Sequence, residues 1–210
     1  MKKFFILSLL VAMSMSMNAQ ITSSQSSITH RTVIQEPQQP KNYTGWNSLY
    51  VEYLPSKLGN DSFNGAALNY SHAFSLTQKI PLYLETGLGG QYSFYKKFGT
   101  KTQFVSAKVP VNVIYEYEIP GTSLSIDPFV GVRLRVNIWG DTKFEDYESY
   151  DLFSDEGGRC ERVQVGWHVG LKFRVNKVFF IGGAFGTDFM NFTHDDDKIK
   201  EFAVSLGVTF

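Results

Sequence analysis

The residues from Phe202 to Phe210, which read FAVSLGVTF, follow a strict alternation. Every second residue is large and apolar, and the residues between are small or polar. Because successive side chains of a strand point to opposite faces, this spacing predicts a β-strand with one apolar face and one thin, polar face. Earlier stretches repeat the pattern, but their second face carries charge. This combination favours a barrel with apolar side chains outside and polar side chains inside, as in membrane-spanning barrels.

The alternation predicts an all-β fold, an eight-stranded antiparallel up-and-down transmembrane β-barrel. Within the fourth strand, Pro110 lacks a backbone donor and predicts an irregularity or bulge. The connections alternate between short turns and longer loops, which is the pattern of outer-membrane barrels with short periplasmic turns. The predicted strands span residues 46–54, 63–74, 80–95, 103–118, 123–139, 163–175, 178–190 and 202–210, the turns lie at 75–79, 119–122 and 176–177, and the loops lie at 55–62, 96–102, 140–162 and 191–198.

Charged side chains define which face of the strands points inward. An Arg or Lys on the lipid face costs about 2–4 kcal/mol at mid-depth, so several of them there would outweigh the stability of a domain, roughly 5–15 kcal/mol. In the opposite arrangement, a soluble barrel, the apolar face would point inward. The narrow interior of an eight-stranded barrel would then have to hold many Phe, Val and Leu side chains, which argues against it. The predicted lumen-lining candidates are Glu52, Glu85, Lys108, Glu116, Arg133, Arg135, His168, Lys172 and Arg174.

Aromatic residues near the predicted strand ends are typical of the girdles at membrane interfaces. They also occur in any β-rich protein, so they support the membrane hypothesis without deciding it. They are Trp46, Tyr53, Phe74, Tyr92, Phe94, Tyr115, Tyr117, Phe189, Phe202 and Phe210.

The N-terminus has the pattern of a secretory signal peptide over residues 1–19. Lys2 and Lys3 precede a short apolar run, and Met17-Asn18-Ala19 fits a cleavage site. Residues 20–44, rich in Gln, Ser, Thr and Pro, are predicted to be a flexible periplasmic leader. The barrel is predicted over residues 45–210. An even number of strands predicts that both termini lie in the periplasm, and the protein in the outer membrane.

Composition and motifs limit the other function classes. Lys+Arg and Asp+Glu are each 20, and this balance argues against a nucleic-acid partner. We expect no cofactor and no metal, because the chain has no phosphate loop, zinc spacing or dinucleotide fingerprint. The acidic clusters Asp195-Asp196-Asp197 and Asp155-Glu156 lack an ordered ligand spacing and fit solvated loops. Cys160, the single cysteine, excludes an intrachain disulfide and fits a loop thiol.

The chain resembles the outer-membrane β-barrel domain family common in Bacteroidetes, the group with PorT-like and small OmpA/OmpX-like barrels. The resemblance covers roughly residues 45–210. It is carried by Asn18-Ala19-Gln20, by Val109-Pro110-Val111 within a strand and by the aromatic C-terminal strand. The terminal Phe210 is similar to the signal read by the outer-membrane assembly machinery, which implies insertion by that route. The resemblance also implies contact with outer-membrane lipid and lipopolysaccharide, and a secretion-system partner as one role.

Three functions remain open from the sequence. The favoured one is a non-enzymatic barrel with a structural role, or a binding role for an extracellular ligand through its outer loops, especially residues 140–162. The second is a narrow porin-like channel lined by the lumenal charges. The favoured interpretation of the same charges is an internal ion-pair network that fills a small barrel. The third is a lipid-modifying enzyme with His168 as general base, although no Ser-His spacing is diagnostic, and a structural lumenal histidine is favoured.

Overall fold

The structure, a computed structural model, describes residues 43–59, 61–97, 100–144, 147–154, 160–193 and 197–210. The described part consists of strands, turns and loops and contains no α-helix. It accordingly includes no helix of the length and apolarity that crossing a membrane requires. The predicted signal peptide and nearly all of the predicted leader lie outside the described residues, as do Asp155, Glu156, Asp195 and Asp196.

One antiparallel sheet contains all of the described strands and closes on itself, because the first of them, β1, pairs with both β3 and β11. The strands are β1 (Trp46–Tyr53), β2 (Ser56–Leu58), β3 (Asp61–Ser75), β4 (Leu82–Lys97), β5 (Thr100–Tyr115), β6 (Tyr117–Glu118), β7 (Leu124–Phe144), β8 (Tyr147–Asp151), β9 (Val163–Val175), β10 (Phe179–Asp188) and β11 (Ile199–Thr209).

The barrel has eight strands, because β2 and β6 continue longer strands and β8 lies outside the wall. β1 and β2 both pair with β3 and β11, so they form one barrel strand interrupted at Leu54-Pro55. In the same way β5 and β6 both pair with β7 and are interrupted at Glu116. β8 pairs with the far end of β7, beyond the barrel wall. The predicted closed eight-stranded antiparallel barrel is therefore confirmed.

The two faces of the barrel wall differ in polarity as the alternation predicts. Leu206 lies opposite Val51 and is 62% exposed, whereas Ser205 beside it is buried. Leu88 is likewise 62% exposed, and Glu85 on the other face of the same strand is fully buried. The outer face is thus a continuous apolar surface, and the charged side chains are enclosed.

The two ends of the barrel are built differently. At one end, which we call the turn end, β9 and β10 are joined by a tight turn in which Asn176 and Lys177 both have positive φ. Two central residues with positive φ are the geometry of a type I′ hairpin turn. At the other end, the loop end, the strands run further than predicted. The ranges 55–62 and 96–102 are largely strand, and β7 continues to Phe144 within the predicted 140–162 loop.

Two irregularities lie in the pairings of β5 with its neighbours. At Pro110 the pairing of β4 with β5 has a gap between Thr86–Val111 and Gly89–Lys108, with the register unchanged on both sides, as a missing backbone donor requires. A register shift between β5 and β7 occurs instead at Val105/Ser106, where Ser106 pairs with Asn137 and Val105 with Trp139. Ile138 is therefore the extra residue of a β-bulge, which the sequence pattern did not predict.

Candidate functional site

The loop-end half of the lumen contains a layer of four charged side chains. Arg133 forms an ion pair with Glu201, and Arg135 Nη2 donates to Asp188 Oδ2 at 2.5 Å. The remaining approaches are longer, 3.5 Å from Arg133 Nη2 to Asp188 Oδ1 and 3.6 Å from Arg135 Nη1 to Glu201 Oε2. Gln91 Nε2 also donates to Glu201 Oε2 at 3.1 Å. The four charges balance within a volume closed to solvent, as buried charges require.

The middle of the lumen contains two further ion pairs. Lys108 Nζ lies 2.5 Å from Glu52 Oε2, and Asn69 donates to the same oxygen at 3.0 Å. Lys172 Nζ donates to both oxygens of Glu85, at 2.8 and 3.0 Å. Its ammonium group also lies 5.3–5.6 Å from the ring centroids of Tyr50, Phe129 and Phe180, within the range of cation–π attraction.

The turn-end part of the lumen is organised around Arg174. Its Nη2 lies 2.9 Å from both Glu116 Oε1 and Asp127 Oδ2. Its guanidinium stacks over the ring of Trp46, 4.0 Å from the centroid. The hydroxyl of Tyr83 donates to Glu116 Oε2 at 3.0 Å. The predicted place of Trp46 in an outer aromatic girdle is therefore wrong: the ring lies on the inner face and helps to close this end.

The loop end is covered by an apolar cluster that the sequence pattern did not predict, and we call it the apolar lid. It consists of the buried residues Phe104, Leu152, Phe153, Phe192 and Ile199, with Leu58, Phe63 and Cys160 packed against it. Strand residues supply one part, and the connections after β8 and after β10 supply the rest. Backbone hydrogen bonds hold these connections together, from Cys160 N to Leu152 O and from Glu161 N to Phe192 O.

Between these layers lies a cavity of about 50 Å³. Its walls include Glu52, Lys108, Arg133, His168 and Glu201. Since one water needs about 10–15 Å³ by this measure, the cavity has room for a few water molecules. A second void, of about 10 Å³, separates Arg135 from the lid. The charges therefore surround small separate spaces, which is the arrangement of a packed interior.

All nine lumen candidates of the sequence point into the barrel. Eight of them are buried, and Glu52 is half-buried. They are Glu52, Glu85, Lys108, Glu116, Arg133, Arg135, His168, Lys172 and Arg174. The carboxylates Asp127, Asp188 and Glu201, which pair with the arginines, were missing from that set. Counting back in twos from Ala203 along β11 would have placed Glu201 on the inner face, but the pattern began that strand at Phe202.

His168 is enclosed among lumenal groups. Its Nε2 lies 2.6 Å from Asn112 Oδ1, and its ring meets Phe129 edge-on at 5.9 Å between centroids. No hydroxyl nucleophile is hydrogen-bonded to it among the described residues. The described residues also contain no group of three or more His, Cys, Asp or Glu side chains that could hold a metal ion.

Cys160 belongs to the lid connections. Burial raises the pKa of its thiol to about 11, and the carboxylate of Glu161 adds to the rise. The thiolate is the reactive form of cysteine, so this thiol is a poor nucleophile at neutral pH.

Comparison with known proteins identifies the fold and no closer relationship. No protein-family model and no curated protein matches the sequence. Among solved structures, Ail, the attachment invasion locus protein of Yersinia pestis, in complex with sucrose octasulfate, has a TM-score of 0.51 at 14% identity, covering 80% of this chain and 100% of its own. Neisserial surface protein A has a TM-score of 0.50 at 12% identity, covering 79% and 97%.

The outer-membrane enzyme PagL has a TM-score of 0.51 at 10% identity, covering 77% of this chain and 98% of its own. At these identities the likeness concerns fold alone, and an attachment protein, a surface protein and an enzyme share it. The chain thus has the small, closed eight-stranded barrel fold found in outer-membrane proteins.

Proposed function

We propose that this chain is an integral outer-membrane β-barrel protein, non-enzymatic, with a structural role or a binding role through its loop end. The inverted polarity of the wall carries the proposal. Side chains such as Leu68, Leu88 and Leu206 are 58–62% exposed on the outside, while the ion pairs are inside. Burial of apolar surface stabilises by about 25 cal/mol per Å², so an outer face of this kind requires an apolar surrounding.

The proposal includes the topology of the chain. Residues 1–19 are a signal peptide, residues 20–44 are a periplasmic leader and residues 45–210 are the barrel. The turn end and both termini face the periplasm, and the loop end faces the outside, in keeping with the short turns and longer loops of such barrels. Phe210 is 68% exposed and pairs through its backbone with Asn47, so its ring is accessible to the assembly machinery.

The interior supports a closed barrel over the alternative of a narrow porin-like channel. The arginine layer, the Lys172–Glu85 pair and the apolar lid leave cavities of about 50 and 10 Å³. A conducting path would need water continuous from end to end. The second alternative, a lipid-modifying enzyme, would need its base to meet lipid, and His168 is buried in the lumen. A PorT-like secretion partner is supported by the sequence resemblance alone.

Two measurements test the proposal. Membrane fractionation of cells that express the full chain should recover it in the outer membrane, with a gel mobility that differs between unheated and boiled samples. The purified protein should then be added to planar bilayers, where we expect no conductance steps. Recovery as a water-soluble monomer would overturn the membrane assignment. Stable single-channel steps would leave that assignment intact and would favour the channel.

A matched pair of variants tests whether the apolar lid alone keeps the lumen closed. Phe104→Ala with Phe192→Ala removes two rings of the lid, whose centroids are 5.7 Å apart. Leu68→Ala with Leu88→Ala removes the same kind of surface from the outer wall. We expect both variants to insert, and both to remain silent, because the arginine layer still closes the lumen beneath the lid.

A further inference from the structure

Five exposed lysines lie on the outward face of the wall at the loop end. Lys200 of β11 is directly opposite Lys57 of β2. Lys101 of β5 is directly opposite both Lys96 of β4 and Lys143 of β7. Ser56, Glu201 and Thr142, which flank three of them in sequence, are buried, so the lysines point away from the lumen. We call this set the lysine row: Lys57, Lys96, Lys101, Lys143 and Lys200.

The lysine row is electrostatically unfavourable without an anion. Directly opposed residues of an antiparallel pair have Cβ atoms about 4.5–5.5 Å apart, and like charges there weaken the pairing. The row contains three such pairs. Within the part of the chain that the structure describes, none of its ammonium groups has a carboxylate partner. By contrast, Lys177 at the turn end lies 2.7 Å from Glu118.

The row lies just beyond the aromatic residues of the outer face. Phe94 and Phe202 are outward and exposed, two residues closer to the barrel middle than Lys96 and Lys200. Two residues of strand span about 7 Å. Because outward aromatics mark the membrane interface, the ammonium groups are at the level of lipid headgroups. The described part of the turn end carries only Lys79 and the paired Lys177 as exposed cations, so the exposed lysines are concentrated at the loop end.

A groove on the outer wall begins below the row. It is shallow and open, and it runs across β1, β3, β4 and β5. Ala66 and Gly90 form its floor, since both are small where neighbouring outward residues are large, and Leu68 and Tyr92 flank it. Tyr92 is four residues from Lys96, about 13 Å along the strand. A lipid whose phosphate binds the row can therefore place an acyl chain in this groove.

We infer that the lysine row is a binding site for the phosphate groups of an outer-leaflet glycolipid of the lipid A class. The inference rests on the proposed function, because it needs the loop end to face the outer leaflet. Charge complementarity selects this occupant: several phosphates on one headgroup can neutralise several adjacent lysines at once. The polyanion in turn removes the repulsion between the opposed lysines and ties β11, β2, β4, β5 and β7 together at the rim.

The test measures lipid retained by the purified, folded chain in detergent. Native mass spectrometry compares bis-phosphorylated lipid A, its dephosphorylated form and phosphatidylethanolamine, with inorganic phosphate as a separate arm. Each lysine near an anionic surface contributes about fivefold in affinity. The variant Lys96→Gln/Lys101→Gln/Lys143→Gln should therefore bind bis-phosphorylated lipid A on the order of a hundredfold more weakly. Binding of the wild type should also fall steeply as salt is raised.

The matched control is Lys79→Gln, which removes an exposed lysine at the turn end and should leave binding unchanged. A second variant, Lys57→Gln/Lys200→Gln, serves if the triple variant fails the heat-mobility assay for folding. Equal retention of lipid A by wild type and both row variants would overturn the inference. So would equal binding of the dephosphorylated lipid, or lysine-dependent binding of free phosphate alone. In each of these cases a folded, membrane-inserted barrel would leave the proposed function standing.

Discussion

Replacing Glu201 by Gln should destabilise the barrel more than any change to an exposed ion pair. Glu201 is buried between Arg133, with which it pairs, and Gln91, which donates to its second oxygen at 3.1 Å. In the variant, Arg133 and Arg135 share Asp188 as their carboxylate, so the layer carries one uncompensated positive charge. The NH₂ group of the new amide also faces either Arg133 or Gln91, and both of these are hydrogen-bond donors. Breaking a buried pair costs about 3–5 kcal/mol, and we expect about 3 because the amide oxygen still accepts one bond.

Urea unfolding in detergent, followed by tryptophan fluorescence, measures this loss. For an m-value of about 2–3 kcal/mol per M, a loss of 3 kcal/mol lowers the midpoint by about 1–1.5 M. The control is Lys177→Gln, which removes an exposed partner of Glu118. Exposed pairs contribute about 0–1 kcal/mol, so its midpoint should fall by less than about 0.5 M. A Glu201→Gln shift no larger than this control would refute the view that the arginine layer depends on charge balance.

The double variant Arg133→Gln/Glu201→Gln removes one charge of each sign. It leaves Arg135 paired with Asp188 at 2.5 Å. We expect it to lose less stability than the sum of the two single variants, by about 0.5–3 kcal/mol, as groups of one network do. Strict additivity in this cycle would mean that the two side chains do not interact.

Three further outcomes can be checked. Val169→Arg places a cation on the outer wall and should cost about 2–4 kcal/mol, with Val169→Leu close to neutral, in the same urea assay. Gly131→Ala should cost about 1–3 kcal/mol, because its Cβ would lie 2.3 Å from the backbone oxygen of Val111. Gly90→Ala is the control and should be neutral or stabilising, because a Cβ at that position meets open space. Equal effects of the two substitutions would contradict the packing argument. Alkylation of Cys160 at pH 8 should be about a hundredfold slower than that of an unfolded cysteine. The rate should rise as the pH approaches 11, because the thiolate forms only there. Fast labelling of the folded chain at pH 8 would contradict the raised pKa.

The wall of the barrel follows from the sequence because alternation and charge together determine which side of each strand faces in. A slip of one residue would place the arginines of β7 outside, so the register has one acceptable solution. The loop end was less predictable. Residues such as Lys57, Lys96 and Lys101 are outward and polar, and once both faces of a strand carry polar groups the alternation disappears. The ranges 55–62 and 96–102 were therefore predicted as loops, although they contain strand extensions.

The site could be predicted only in part. The alternation of polar and apolar residues identifies the lumenal cations. Their carboxylate partners cannot be identified in this way, because the pairing depends on which strands face each other across the lumen. Arg133 and Glu201 are 68 positions apart in the chain, and Arg135 and Asp188 are 53 apart. The apolar lid is beyond pattern analysis for the same reason, because Phe153 and Phe192 come from separate connections with no periodicity of their own.

The extra residue at Ile138 shifts the phase of everything that follows it in β7. Ile138 and Trp139 both point outward, at 59% and 46% exposed, and from there Gly140 and Thr142 face in while Lys143 faces out. In a strand without the insertion, odd-numbered residues would continue to face in, as Arg133, Arg135 and Asn137 do. A regular strand that kept all of these residues would therefore turn the ammonium group of Lys143 under the lid and bring Thr142 to the outside, whereas deleting Ile138 would remove the bulge and leave Thr142 inside and Lys143 outside. A single backbone insertion thus allows one strand to supply arginines to the interior and a lysine to the surface rim.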